Sequence, residues 1–378
     1  MSSIGLDYTA AYEQGGGIGR YVRELVTALS RLDTSNQYSL FVSGASSTES
    51  HPAFPSNYFW KPTRLTPKWL ARIWYRAQLP LPVELFTGRL DLFHATDFVL
   101  PPTLPRVTSL LTVHDLSFVR VPESASPSLK SYLDVVVPRS VYRSTHVLAD
   151  SEATKIDLMD LYSVPDSKIT VLLSGVDAKF FDTVLSSSLM TTRKKYAVEA
   201  FSYIFCVGTV QPRKNYTRLI QSLTQLRTQG IDIHLVIAGG KGWLENPIYK
   251  TISDTHMEDF VHFIGFVDDE DLPALYRGAT CVAFPSLYEG FGLPILEGMA
   301  SGVPVLTSNV SSLPEVAGDA AIMVDPYDLD AITDGLQRLI LDSQLRETLI
   351  QKGLIRAREF TWEKSARQLL AIYQNLLA

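Results

Sequence analysis

Two glutamates and a cationic pair carry the chemistry that can be read in this sequence. Glu289 and Glu297 stand eight residues apart within Phe284–Gly302, FPSLYEGFGLPILEGMASG. The stretch reads as a strand end, a loop bearing Gly290 and Gly292, and a helix beginning near Pro294. Proline costs no hydrogen bond in the first turn of a helix. Glycines on either side of Phe291 let the backbone come close to a ligand. The N–H groups of Gly292 and Leu293 then point out of a helix N-terminus, which favours an anion. Ile295, Leu296 and Met299 give that helix a buried face, with Glu297 on its first turn. Arg213 and Lys214 lie in GTVQPRKN, between a strand and a helix expected over Tyr216–Thr228. Cations at the carboxyl end of a strand, beside a helix N-terminus, form a clamp for a diphosphate. Phosphate-binding and hydroxyl-binding groups together suit a nucleotide sugar.

The glutamates do not read as a glycosidase pair. Eight helical residues span about 12 Å, whereas a retaining glycosidase needs roughly 5 Å and an inverting one less than about 10 Å. The spacing better fits one ligand touched at two ends.

Alternating strands and helices must position these groups. Strands are expected at Ile4–Tyr8, Tyr38–Val42, Leu92–His94, Thr108–Val113, His146–Ala149 and Ile169–Leu173. A second series follows at Tyr203–Val207, His234–Gly239, Val261–Val267, Thr280–Phe284, Val303–Thr307 and Ala321–Val324. Such alternation predicts α/β architecture with parallel sheets covered on both faces. The pattern breaks between Asp177 and Ser202, which places a domain boundary near residue 180. Helices are expected at Tyr21–Leu32, Asp328–Leu341 and Ser343–Glu359, and a last one over 361–378 capped by Thr361.

The turn EQGGGIGR precedes the first long helix. It either cradles phosphate or is a plain tight turn. The G-x-G-x-x-G frame fails, ending on Arg20 from Gly15 and on Val22 from Gly17, which disfavours a dehydrogenase. No G-x-S-x-G occurs, which disfavours a serine hydrolase. His114 ends a strand, where it is either a ligand contact or a local structural group. Asp269 and Asp271 form a D-x-D at a helix start; the helix dipole explains them without a metal. From Ser50 to Val83 there is no acidic residue, while Lys61, Arg64, Lys68, Arg72 and Arg76 mix with Trp60, Trp69 and Trp74. Lys68, Arg72 and Arg76 share one face of a helix, with Leu70, Ile73 and Trp74 as an apolar side. Residues 61–76 therefore either contact an anionic membrane or an acidic acceptor, or pack their aromatics inward.

Composition bounds these readings. The 378 residues suggest two domains, and 46% hydrophobic with 20% charged residues fits a globular protein with a full core. A net charge of −6 argues against nucleic acid as a partner. The two cysteines, Cys206 and Cys281, sit in apolar runs and read as buried thiols of a reducing compartment. No signal peptide or membrane span is read, so the expectation is a cytoplasmic protein, peripheral at the inner face of the membrane.

The segments GGGIGRYVREL, GTVQPRKN, FPSLYEGFGLPILEGMASG, SSLPEVAGDAA and FTWEKSA, with the E-x7-E of Glu289 and Glu297, carry a further signal. The pattern resembles the retaining glycosyltransferases of family 4, and among them mannosyltransferases of surface-polysaccharide assembly. The resemblance covers nearly the whole chain. It implies the GT-B fold, two facing Rossmann-like domains with a deep cleft between them. Residues 1–180 would bind the acceptor and 181–378 the nucleotide sugar, with helix 361–378 crossing back. The implied reaction moves a hexose, best matched by mannose from GDP-mannose, to a hydroxyl of a glycan or lipid-linked acceptor. Retention of configuration would follow from front-face attack, assisted by the leaving phosphate.

By the same resemblance Gly16 and Gly17 meet the donor diphosphate, and His114 lies near the donor sugar and β-phosphate. Arg213 and Lys214 hold the diphosphate, Glu289 the sugar hydroxyls and Glu297 the ribose. Backbone at Val267 meets the base, and Phe291, Gly292 and Leu293 complete the donor wall. The catalytic set is Glu289, His114, Lys214 and Arg213, with no metal and no further cofactor. Thr209 stands where many relatives carry an arginine. The competing readings are the same transfer with a UDP-hexose or another donor, a nucleotide-sugar epimerase of similar architecture, and a non-catalytic nucleotide-sugar-binding subunit.

Overall fold

The computed structural model describes residues 1–46 and 52–378. Its contacts divide it into two compact units. One comprises Met1–Leu116, Ser131–Gly175 and Thr361–Ala378, and the other Ser117–Lys130 and Val176–Phe360. The last 18 residues thus belong with the first unit, and the short segment after Leu116 belongs with the second.

The first unit is built on seven described strands: β1 (Ser3–Asp7), β2 (Gln37–Ser43), β3 (Tyr58–Thr63), β4 (Leu92–Ala95), β5 (Thr108–Val113), β6 (His146–Ala149) and β7 (Ile169–Val171). Their order is β3-β2-β1-β4-β5-β6-β7, and every pairing is parallel. The second unit holds β8 (Tyr203–Val207), β9 (His234–Ala238), β10 (Val261–Gly265), β11 (Cys281–Phe284), β12 (Val305–Ser308) and β13 (Ala321–Val324), in the order β10-β9-β8-β11-β12-β13. Counted from the first strand of each sheet, both begin 3-2-1-4-5-6, the order of the dinucleotide-binding fold. The order reverses between β1 and β4 in one sheet and between β8 and β11 in the other. Ligands of such sheets bind beyond the carboxyl ends of the strands at that reversal.

The central strands are continuous apolar runs because helices cover both faces. Leu110, Leu111 and Val113 of β5, and Ile204, Phe205 and Cys206 of β8, are all buried.

Several element bounds differ from expectation, each for a local reason. β3 was not anticipated. Its sequence YFWKPT contains Pro62, which a strand tolerates at a sheet edge, and β3 is an edge. β10 ends at Gly265 rather than Val267, because a bulge at Ile264 and a left-handed Gly265 (φ 72°) break the ladder. The helix expected at Tyr21 starts at Gly17, so the glycine turn is itself the first helical turn. Gly19 is required there: a Cβ would lie 2.0 Å from the Gln14 carbonyl oxygen. A further helix, Ser186–Lys195, occupies the stretch read as a break.

The basic stretch is not one continuous α-helix. Pro67–Ala71 is α-helical and Arg72–Arg76 is a wider π-turn, closed by Ala77 N–H bonding to Arg72 O at 2.8 Å. Leu70 and Trp74 face inward, Ile73 is half-buried, and Lys68, Arg72 and Arg76 are exposed. Ser50 and His51, which begin that stretch in the sequence, lie outside the described residues.

The terminal helix Trp362–Leu377 is capped by Thr361, whose side chain accepts from Lys364 N–H. It packs along the Gly17–Leu32 helix. Tyr373 joins it to the sheet through His94 Nδ1 (2.8 Å), and His94 Nε2 meets Thr112 Oγ1 (2.8 Å). Burial pushes His94 down to about 3, so this neutral imidazole is a structural tie.

Candidate functional site

The carboxyl ends of β8 and β11 bring together residues about 75 positions apart. The loop after β8 supplies Arg213 and Lys214; the loop after β11 supplies Glu289. Arg213 Nη1 donates to Glu289 Oε2 at 2.6 Å and to the Tyr288 carbonyl at 2.8 Å. Lys214 Nζ donates to Glu289 Oε1 at 2.7 Å, with its charge 4.6 Å from the centre of the Phe284 ring. Backbone ties hold the two loops in place. Leu287 N–H donates to Arg213 O at 2.8 Å. Asn215, in the left-handed region (φ 61°), gives its amide to the carbonyls of Pro285 and Pro326 at 2.9 and 2.7 Å.

Glu289 is 7% exposed. Burial alone raises its carboxyl pKa, but the charges of Arg213 and Lys214 outweigh that and hold it below the ordinary value. The cluster is therefore one carboxylate between two cations, with a net positive charge.

A third loop, after β12, fixes the backbone of the glutamate. Glu289 N–H donates to Ser311 Oγ at 3.0 Å, and the Ser312 hydroxyl reaches the carbonyls of Glu289 and Phe291 at 2.9 and 2.8 Å. Gly292 follows at φ 118°, a conformation that favours glycine, and the helix Leu293–Ala300 begins at once. Glu297 therefore falls at the start of the second turn, not on the first. It is buried and accepts a hydrogen bond from Tyr276 OH at 2.7 Å.

Phe291 is buried, its ring 5.9 Å from that of Phe360 and steeply inclined to it. Val267 is buried just beyond the end of β10. Asp271 is occupied by Lys195 Nζ (2.6 Å) and Tyr196 OH (2.9 Å), and Asp268 also meets Lys195 (2.8 Å). No group of three or more His, Cys, Asp or Glu suited to a metal occurs among the described residues.

Gly16, Gly17 and His114 lie in the first unit. Gly16 precedes the helix and Gly17 opens it; a Cβ at either would meet nothing within 4 Å. His114 follows β5 and is buried, its Nδ1 2.7 Å from Asp150 Oδ2 and its Nε2 2.9 Å from Thr96 O. Burial pulls its pKa down, but the Asp150 charge outweighs this and raises it to about 9. Held between the Asp150 carboxylate and the Thr96 carbonyl, the His114 ring presents no open nitrogen.

The structure thus joins Arg213, Lys214 and Glu289 directly and puts Phe291, Gly292, Leu293 and Glu297 on the next loop and helix. Sequence reasoning missed Asn215, Tyr276, Ser311 and Ser312 as supports. Ser311 and Ser312 were visible in SSLPEVAGDAA, but nothing local marks Tyr276 as the partner of Glu297.

Residues 15–180 match the model for "Glycosyltransferase Family 4", and residues 191–356 that for "Glycosyl transferases group 1". O-antigen chain mannosyltransferase B of Escherichia coli is 33% identical over 287 residues, covering 75% of this chain and 74% of that protein. The chain belongs to glycosyltransferase family 4. Solved structures agree with this family 4 glycosyltransferase in fold. WaaG, a glycosyltransferase involved in lipopolysaccharide biosynthesis, matches with a TM-score of 0.74 at 16% identity, over 98% of this chain and 99% of that one. Anabaena HepE in complex with UDP and glucose matches with a TM-score of 0.76 at 18% identity, over 99% of this chain and all of that one. The fold is GT-B, with two Rossmann-like α/β sheets. No helix of this glycosyltransferase, among the described residues, is long and apolar enough to cross a membrane.

Proposed function

We propose that this glycosyltransferase moves mannose from GDP-mannose to a hydroxyl of a glycan or lipid-linked acceptor in cell-surface polysaccharide or glycolipid synthesis. The observation that carries the reading is the Arg213–Glu289–Lys214 cluster at the strand-order reversal of the second sheet. Its net positive charge attracts a diphosphate, and its carboxylate can accept sugar hydroxyls. The mannosyl choice is supported by the mannosyltransferase relative.

The hard step is loss of the nucleoside diphosphate. The bond from the anomeric carbon to the phosphate oxygen breaks, and that oxygen gains negative charge. Arg213, Lys214 and the N–H groups of Gly292 and Leu293 stabilise it, each such contact being worth about 3 kcal/mol of barrier. Glu289 orients the donor sugar, Glu297 holds the ribose, and backbone near Val267 meets the base. Gly16, Gly17 and His114 of the first unit are assigned to the donor diphosphate by the family resemblance. The acceptor oxygen bonds to the anomeric carbon on the face the phosphate leaves, its proton passing to the departing phosphate, so configuration is retained. These protein cations take the role that a metal plays elsewhere.

The reading includes peripheral attachment through residues 61–76 at the cytoplasmic face of a membrane. Exposed Lys68, Arg72 and Arg76 support it, with Trp69 54% exposed and the Arg72 guanidinium 4.8 Å from its ring centre. The buried thiols Cys206 and Cys281, neither in a disulfide, suit a reducing compartment.

A UDP-hexose donor is the second reading, favoured by the UDP and glucose bound to HepE. Calorimetry with GDP, UDP, ADP and dTDP and their sugar conjugates, in EDTA, separates the two. Selective binding of GDP and GDP-mannose is expected. Selective UDP binding would move the donor to a UDP-hexose, and no nucleotide binding would remove the donor site.

A further inference from the structure

The first unit holds a cavity of about 160 Å³, on the order of five waters in size and so on the scale of one sugar ring. It lies beyond the carboxyl ends of β1, β2 and β4, where that sheet's order reverses. Asp7 ends β1, Asp97 follows β4, and Glu13 comes from the short helix Thr9–Glu13. All three carboxylates line the cavity, and among the described residues no lysine or arginine does. Four aromatic side chains also line it, Phe41 of β2, Trp74 and Tyr75 from the basic stretch and Tyr132 from the helix Pro127–Arg143, among small polar and aliphatic groups. The Tyr75 and Tyr132 rings lie 6.3 Å apart, steeply inclined to one another.

Carboxylates and aromatic rings together select for one chemistry. Ionised carboxylates accept short, strong hydrogen bonds from hydroxyl groups, and aromatic faces cover the apolar C–H surface of a pyranose. Asp7 Oδ1 accepts from Thr9 N–H (3.0 Å) and Asp97 Oδ2 from Gln14 Nε2 (3.3 Å), which orients both groups.

We infer that this cavity seats one neutral hexose ring of the acceptor glycan and rejects a ring bearing a carboxylate or phosphate. The inference rests on the glycosyltransferase reading and adds the class of acceptor. Rejection follows from like charge: an anionic ring would enter beside three carboxylates with no cation among the described residues of the wall. Burial already pushes the Asp7 carboxyl up to about 6 and raises that of Asp97, so a further anion meets surroundings that disfavour negative charge.

The test needs no donor at first. The full chain is titrated by NMR with methyl α-mannopyranoside and, separately, with methyl glucuronide. Binding of the neutral glycoside, with the glucuronide weaker by about tenfold or more, is expected. Asp7→Asn and Tyr132→Ala, on separate elements, should each weaken the neutral glycoside at least about tenfold. Thermal melts check that both stay folded, and calorimetry should show the donor affinity of each unchanged. Equal or tighter binding of the glucuronide would overturn the inference, as would full glycoside affinity in both variants. If no nucleotide sugar binds the wild-type chain, the donor assignment falls while the glycoside titration still decides the cavity. If donor binds and transfer proceeds but both variants bind acceptor normally, the cavity assignment alone falls.

Discussion

Lys214 and Glu289 leave neighbouring strands on different loops, and their side chains meet at 2.7 Å across 75 residues of sequence. Arg213 closes on the same carboxylate at 2.6 Å. The carboxylate is therefore held by both cations, and each cation by the carboxylate. Glu289→Gln and Lys214→Ala are expected to cut transfer at least about tenfold, within the range for losing one stabilising contact. Steady-state rates with circular dichroism as a fold check decide this; near-normal transfer by either variant sinks the assignment.

The depressed Glu289 carboxyl also makes a statement about pH. A group whose folded pKa lies below its unfolded value of 4.5 stabilises fully above that value and loses its contribution as pH falls through the folded pKa. The stability difference between wild type and Glu289→Gln should be largest at neutral pH and shrink below about pH 4. Urea unfolding at several pH values measures it. A difference independent of pH would show that the two cations do not hold the carboxylate.

His114 carries the opposite sign. Its pKa is raised from 6.5 to about 9, so its pairing with Asp150 stabilises fully below 6.5 and is lost as pH rises through 9. Wild-type Tm should fall between pH 6.5 and 9.5 more steeply than that of His114→Gln. Parallel Tm curves for the two proteins would overturn the ion pair.

The glycine turn separates a packing role from an open one. A Cβ on Gly19 would lie 2.0 Å from Gln14 O and 2.8 Å from Ala10 O, so Gly19→Ala should cost about 1–3 kcal/mol or more. A Cβ on Gly17 meets nothing within 4 Å. Gly17→Ala should hold or raise stability, by about 0.4–1 kcal/mol, while weakening nucleotide-sugar binding. Unchanged binding in Gly17→Ala would remove the phosphate from that turn.

Replacing Lys68, Arg72 and Arg76 together by alanine should weaken attachment to anionic vesicles. Each cation near such a surface is worth about 1 kcal/mol, so the triple variant should lose roughly a hundredfold in partition. Sedimentation with vesicles of phosphatidylglycerol and neutral lipid reads this out. Equal sedimentation of both proteins would retire the membrane contact.

Much of this protein is determined locally. The bounds of β5, β6, β8 and β13 agree with the sequence expectation because each is a short apolar run ended by turn residues. The Tyr216–Thr228 helix agrees for the same kind of reason. The Glu289–Glu297 spacing, the Arg213–Lys214 pair and the glycine turn are likewise visible in the chain, and with them the family.

Other features depend on neighbours that no local window contains. β3 is a strand because β2 offers it an edge, which makes Pro62 acceptable there. Gly19 looks like any glycine until the Gln14 carbonyl folds over it. The convergence of Arg213, Lys214 and Glu289 needs β8 and β11 side by side, although β9 and β10 intervene in the chain. Tyr276 finds Glu297 only once their helices pack. The acidic, aromatic cavity assembles Asp7, Asp97 and Tyr132 from three separate elements. Sequence determines which groups are present and what backbone they prefer; parallel strand order decides which charges meet, because pairing in a parallel sheet joins residues that the chain itself keeps far apart.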